Sequence, residues 1–369
     1  MYHQAEEAPI KYRPSKKKAI TSLATLAVIF ALAMGLVACS EQVEPSASID
    51  VSTDVAVTEE VAHTFYDEPA SQQVIRVGYD GLLCQAPIAI AHINGFFEEE
   101  GLQTELIRTG DQSAVRDALA GGHLDVASGM IAAWLRPVTQ GVDIRFTLGL
   151  HTGCASAFVL ADSDITQFED GQDVAVTGGI GGLFHNIALR FIANDGFVAE
   201  DFTWRDFPPD QLLLALQDGT ADVAVFPDNL GEQWILDGTL RRIRSLHEDP
   251  DFKYEACCVL GIAGDFFDEN PLTSERISRA VFNAAQWIGE SDENKAEAAQ
   301  LLIDYGYISS SVEYAVSLMQ MWDWALAHEM TEQTLHNTVR EYQALGIIDA
   351  NISPDIVEEQ IWHPCSSQE

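Results

Sequence analysis

The chain has 369 residues, 47 % of them apolar, with 57 acidic against 20 basic side chains and a formal net charge of −37. That length exceeds one ordinary core and suits two domains. Phosphate contacts need clustered Lys and Arg, so the charge argues against nucleic-acid binding; any anion site must be local rather than part of a broad positive field.

In chain order, the first feature is a basic stretch of Lys11, Arg13, Lys16, Lys17 and Lys18. Residues 19–38 follow without a charge and end in Leu36-Val37-Ala38-Cys39-Ser40. This is the layout of a secretory signal peptide over residues 1–38. A hydrophobic residue, a small residue and then Cys resembles the bacterial lipobox, in which cleavage precedes the Cys and its thiol is acylated. Cys39 is the expected lipidation site. A plain transmembrane anchor is the alternative, but the run ends on small residues and a Cys rather than on a basic stop-transfer cluster. Both place the rest of the chain outside the cytoplasm, held at the membrane. Residues 39–73 are rich in Ser, Thr, Val, Ala and acids and show no periodicity, and are expected to form a flexible tether reaching roughly 30 Å.

Regular structure is expected from Val74. Residues 74–79 alternate as a strand, residues 87–97 read as a helix closed at Gly95, and residues 101–107 form a second strand. Residues 111–119 are helical with Gly121-Gly122 as the stop, and Leu124-Asp125-Val126-Ala127 is a third strand. Strands alternating with helices at this spacing mean βαβ units and a mainly parallel sheet, an α/β protein. The pattern recurs: a helix over residues 210–217, then Gly219 and Ala221-Asp222-Val223-Ala224. Each copy is a helix, a Gly turn and a strand opening Asp-Val-Ala, which fits two lobes on one plan. From Asn270 the chain is almost all helical, with Ser274 as an expected N-cap and Trp322 and Trp324 in a helical run over residues 311–329.

An early strand, a loop carrying Ala86-Pro87, a helix ending Gly95-Phe96-Phe97 and then Glu100-Gly101-Leu102 resembles the nitrate/sulfonate/taurine type of ABC-transporter substrate-binding proteins. The helix–Gly–Asp-Val-Ala unit over residues 119–127 and the strand–Gly–helix over residues 173–191 fit the same family, which includes binders of thiamine-precursor pyrimidines. The resemblance covers most of residues 74–300. It implies a type II periplasmic-binding-protein fold: two α/β lobes of mainly parallel sheet, a ligand cleft between them and a helical C-terminal part. It also implies delivery of a small anionic or polar organic solute to a permease and ATPase complex, with no cofactor. The strand 157–161 is expected to leave the first lobe and the strand 257–262 to return. Lobe 1 is then residues 74–159 and 257–369, and lobe 2 residues 160–256.

In open α/β sheets, ligands sit beyond the carboxyl ends of the strands. On that placement the expected ligand-binding residues are Leu83, Cys84 and Gln85; Gly129 and Met130; His151, Thr152 and Cys154; Gly178, Gly179, Ile180 and Gly181; Asp228 and Asn229; and Cys257. The turn over residues 178–182 has four glycines in five positions. Glycines let backbone approach a ligand, and a helix N-terminus offers free N–H groups to an anion; a plain tight turn is the alternative. Arg136 and Arg145 are the basic residues near these loops in sequence.

Setting Cys39 aside leaves Cys84, Cys154, Cys257, Cys258 and Cys365, an odd number. Three readings stand open: small apolar filler, a disulfide such as Cys84–Cys154, or a thiol-and-imidazole site of Cys84, Cys154, His151 and one of the vicinal pair. The fungal pyrimidine synthase of thiamine biosynthesis, a cousin by fold, carries a cysteine cluster just before the returning strand. Glu255-Ala256-Cys257-Cys258 falls at a similar place, though only two adjacent cysteines match. A cysteine-dependent binder of a metal complex or of a pyrimidine, or a related enzyme, is therefore the alternative function. No catalytic constellation is recognised and no metal is assigned: Gly-x-Ser-x-Gly, His-Glu-x-x-His and Walker patterns are absent.

Overall fold

The computed structural model describes residues 63–365. The expected signal peptide, the expected lipidation site Cys39 and the part of the expected tether up to residue 62 lie outside the described residues. Ten strands run through the body: β1 (Val74–Tyr79), β2 (Gln103–Arg108), β3 (Val126–Met130), β4 (Ile144–Thr152), β5 (Ala155–Leu160), β6 (Asp173–Val176), β7 (Thr203–Asp206), β8 (Val223–Pro227), β9 (Leu240–Ser245) and β10 (Ala256–Ala263). They form two five-stranded sheets, ordered β2-β1-β3-β10-β4 and β7-β6-β8-β5-β9. In the first, β1 is parallel to β2 and β3 while β10 is antiparallel to β3 and β4. In the second, β6 is parallel to β7 and β8 while β5 is antiparallel to β8 and β9. β10 and β5 thus hold the same place in the two sheets.

The repeated Asp-Val-Ala has a physical cause. Val126 and Ala127 pair with Val77 and Gly78, and Val223 and Ala224 pair with Val174 and Ala175, so both dipeptides sit mid-sheet and fully buried. The preceding Asp closes the strand entry in both copies. Asp125 accepts the N–H of Arg76 at 2.7 Å and donates its own N–H to Arg76 O at 2.9 Å. Asp222 accepts the N–H groups of Gln172 and Asp173 and donates to Asp173 O at 2.8 Å. A carboxylate supplies two acceptors where a strand edge would leave donors unpaired.

Four sequence expectations are corrected. The strand expected to leave the first lobe over residues 157–161 is already part of the second sheet, as β5 paired with β8 and β9. The chain changes sheet at Gly153-Cys154, between β4 and β5. A Cβ on Gly153 would lie 2.4 Å from the Leu246 carbonyl carbon, so the outgoing crossing presses on the returning one and only glycine fits.

The body also begins before Val74. Short 3-10 turns over Phe65–Asp67 and Pro69–Gln72 pack on it, with Phe65 and Glu68 buried. Glu68 accepts the N–H of Leu272 (2.7 Å), the N–H of Thr273 (2.7 Å) and the Thr273 hydroxyl (2.6 Å). This is the start of the helix Pro271–Glu290, and it corrects the Ser274 expectation: Asn270 is the cap residue, Pro271 opens the helix, and Ser274 is buried inside it. The run over residues 311–329 is not one helix. Val312–Met319 ends before Trp322, and His328–Ala344 begins after a non-helical stretch. There Ala325 takes a positive φ of 56° and Trp324 bridges backbone with His151. No helix of the described residues is long and apolar enough to cross a membrane.

Candidate functional site

A cavity of about 620 Å³ opens where the strand ends of the two sheets face each other. Its first-sheet wall comes from Asp80 and Cys84 after β1, from Asp111, Gln112 and Arg116 after β2, and from Met130 and Arg136 after β3. The second sheet contributes Gly178, Gly181, Gly182 and Leu183 after β6 and Pro227 and Asn229 after β8. Cys154 at the crossing and Trp322 from the C-terminal part complete it.

Of the residues expected from the sequence, Leu83, Cys84, Met130, Cys154, Gly178, Gly181 and Asn229 are on this wall. The others lie elsewhere. Gln85 is fully buried behind it, its amide placed by Ser128 and Asp80. Gly129 is a packing glycine, since a Cβ would meet the Trp134 ring at 2.0 Å. His151 is buried one layer back, and Thr152 pairs with Asp323. Gly179 and Ile180 form the outer face of the turn, with Gly179 N–H held by Asp206 at 2.9 Å. Asp228 is wholly buried and accepts from Ser156 (2.7 Å) and Arg242 (3.2 Å), so it pins the second sheet instead of facing the cavity. Cys257 borders a small separate pocket with Arg190 and Phe252.

The glycine turn is set by backbone geometry. Gly178, Gly179 and Gly181 take φ of 82°, 92° and 80°, which side chains rarely adopt. A Cβ on Gly182 would sit 2.3 Å from Gly178 O. Gly182 caps the twelve-residue helix Leu183–Asn194, so the cavity meets the first turn of a helix, where N–H groups lack intrahelical partners.

Sequence reading missed Asp80, Gln112 and Arg116, left Arg136 undecided, and favoured packing over ligand contact for Trp322. The loop after β2 was the available signal, because it too lies at a carboxyl strand end. Gln112 is held by Asp80 and by the Met130 N–H (2.9 Å). Burial, then the charge on Cys84, push the Asp80 carboxyl up to about 7, against the hydrogen bonds from Leu82 N–H and Gln112. Arg116 pairs with the exposed Asp117 at 2.6 Å. Arg136 stands exposed at the mouth without an ion pair among the described residues.

At the wall and just behind it, the donor atoms of Cys84, His151, Cys154 and Cys258 lie within 4.8 Å of one another. All five described cysteines are free, and the Cys154 and Cys257 sulfurs are 2.8 Å apart. Cys84 is held well below the usual thiol range by hydrogen bonds from Cys154 and Cys258, against burial. Burial pulls His151 down, but the neighbouring Cys84 outweighs it and leaves the imidazole above its ordinary value. A second group of possible metal donors, Glu332, His336 and Glu358, is on the surface of the C-terminal helices.

The NMT1-like family model matches residues 68–303, well over half of the chain. The chain belongs to the NMT1-like family. Among relatives, the bicarbonate transport ATP-binding protein CmpC of Synechococcus elongatus is 27% identical over 263 residues. That match takes in 65% of this chain and 39% of the relative, so the chain spans about two fifths of that relative's length. The 4-amino-5-hydroxymethyl-2-methylpyrimidine phosphate synthase of Aspergillus parasiticus is 22% identical over 298 residues, 75% of this chain and 83% of that one. Among solved structures, the periplasmic aliphatic sulphonate binding protein SsuA of Escherichia coli superposes with a TM-score of 0.64 at 15% identity, covering 79% of this chain and 92% of that chain. The periplasmic nitrate-binding protein NrtA of Synechocystis PCC 6803 gives 0.63 at 17% identity, covering 79% and 86%. The fold of this family member is therefore that of the periplasmic binding proteins. One relative of the family carries an enzyme's name; both solved structures are of binding proteins.

Proposed function

We propose that the chain is the extracytoplasmic solute-binding component of an ABC importer, handing its ligand to a permease and ATPase. One observation carries this reading. The cavity of about 620 Å³ lies between two sheets of the same plan, at their carboxyl strand ends, and two crossings that touch at Gly153 join those sheets. Such a joint lets the halves open and close around a solute. We place lobe 1 at residues 63–152 and 256–365 and lobe 2 at residues 155–245, each with its own sheet. The Leu36-Val37-Ala38-Cys39 motif supports tethering through a lipid on Cys39.

The ligand we propose is a small oxyanion or an organic solute bearing one. Arg116 and Arg136 bring positive charge to one wall, and the turn over residues 178–182 brings a helix start to the other, inside a chain that is otherwise strongly acidic. The names of the transport and binding relatives, for bicarbonate, nitrate and aliphatic sulphonates, point to the same class. We read the chain as a receptor, a reading supported by the binding proteins on which it superposes.

Calorimetric titration of the full chain with bicarbonate, nitrate, taurine and short alkanesulfonates tests this. One of them is expected to bind saturably and to raise the unfolding temperature. Arg136→Ala is expected to weaken that binding. Failure of the whole panel, or binding that ignores both Arg116→Ala and Arg136→Ala, would sink the assignment.

A further inference from the structure

We propose that Cys84, His151, Cys154 and Cys258 form a tetrahedral metal site for zinc or a comparably soft divalent ion, set in the floor of the cleft. Four separate segments deliver the donors: the turn after β1, the end of β4, the crossing, and β10, where Cys258 is the cross-strand partner of His151. They are far apart in sequence, so they form no short metal motif. All four are buried, and their donor atoms lie within 4.8 Å of one another. A tetrahedral zinc with bonds of about 2.3 Å to sulfur needs its sulfurs about 3.8 Å apart, so no pair of these sulfurs has to close by more than about 1 Å.

The histidine is the deciding group. Its Nδ1 is 2.7 Å from the carbonyl oxygen of Thr152, an acceptor, so that nitrogen carries the proton and donates. The remaining nitrogen, Nε2, is buried with no nitrogen or oxygen partner and has the Cys84 thiol beside it, so a metal held between them would take the place of the proton they otherwise share. An imidazole whose far nitrogen is tied to a backbone carbonyl is the usual arrangement of a metal-bound histidine. Trp322 and Trp324 pack beside the ring at tilts of 40° and 47°, with centroids 5.1 and 5.3 Å away, which fixes its plane. Cys84 and Cys154 also line the cleft, giving an ion its entry path. Cys257 stands outside the shell as a neighbour of Cys154, 2.8 Å from its sulfur. On binding, each coordinating thiol gives up its proton to solvent and the sulfur lone pair forms the metal bond; nothing is oxidised or reduced. The site is independent of which solute the cleft accepts.

Cobalt(II) titration of the full chain, purified reduced and without air, reads the site directly. The expected result is one cobalt per chain, with a thiolate-to-metal charge-transfer band and the intense d–d bands of tetrahedral cobalt, all lost on adding zinc. Cys84→Ser at the cleft wall and Cys258→Ser should each weaken cobalt binding by about tenfold to a hundredfold, a loss usual for site residues. Cys365→Ser, whose thiol faces Ser274 O away from the cluster, should leave it unchanged. Circular dichroism of each variant confirms folding, and Cys84→Ser, the least enclosed change, carries the test if Cys258→Ser does not fold. Two results overturn the proposal. One is a fully reduced protein with no tetrahedral cobalt spectrum, or one whose spectrum survives Cys84→Ser unchanged. The other is a Cys154–Cys257 disulfide in the isolated protein that persists under mild reductant with excess zinc.

Discussion

Removing the Glu68 carboxylate tests where the folded body begins. Glu68 lies in a stretch with no hydrophobic periodicity, yet its side chain is sealed and accepts three hydrogen bonds at the start of the helix Pro271–Glu290. In Glu68→Ala the Thr273 hydroxyl can turn to another acceptor, and Leu272 is partly open to water. The Thr273 N–H is fully buried and has no replacement. Stranding one buried donor costs about 1–3 kcal/mol. Loss of a capping acceptor costs about 0.5–2 kcal/mol, and the negative charge at the helix start adds about 0.5 kcal/mol. These overlap, so the expected destabilisation is about 3 kcal/mol. Glu68→Gln keeps one carbonyl oxygen for the Thr273 N–H and should lose about 1 kcal/mol. Urea unfolding of the full chain, followed by tryptophan fluorescence, measures both. A loss below about 0.5 kcal/mol for Glu68→Ala would refute the reasoning, for it would mean that these residues are tether after all.

Three further outcomes are expected. Burial holds His185, His328 and His363 below their ordinary 6.5. The unfolded chain therefore binds more protons than the folded one just below that value. Their contribution to stability is full above 6.5 and is lost as pH falls through the folded values. Asp80, raised to about 7, acts in the opposite direction over this range, so the test is a difference: the urea midpoint of the chain minus that of His185→Gln should fall between about pH 7 and about pH 5, and a difference that does not change with pH contradicts the burial effect. Gly129→Ala drives a methyl into the Trp134 ring, with contacts of 2.0 and 2.3 Å, and should cost about 2–4 kcal/mol by denaturant unfolding; a neutral result would mean the indole is not seated there. Arg190 is buried between Glu255 (2.7 Å) and Glu341 (2.5 Å), so Arg190→Ala should cost about 3–5 kcal/mol, more than Glu341→Ala alone, as read from chemical denaturation. Equal effects of the two variants would contradict a shared ion-pair cluster.

The wall of the cleft was legible where a strand end is followed directly by the contact residue, as at Cys84, Met130 and Gly178. It was not legible where an intervening layer decides. Gln85, His151 and Asp228 are neighbours in sequence of wall residues, but backbone direction turns each into the interior, where Ser128, Thr152 O and Arg242 respectively meet it. Trp322 reaches the wall from the C-terminal part, far in sequence from every other wall residue.

By itself the sequence determined the α/β class, the alternation of strand, helix and glycine turn, and the doubled Asp-Val-Ala unit. Those follow from local rules: side chains alternate along a strand, glycine alone accepts a positive φ, and an Asp at a strand entry binds the neighbouring backbone. Only the tertiary structure decided that the sheets exchange at Gly153, that Glu68 closes a helix some two hundred residues away, and that three cysteines and a histidine converge. Those depend on contacts between segments distant in the chain, where the free energy comes from burying groups that no local pattern pairs.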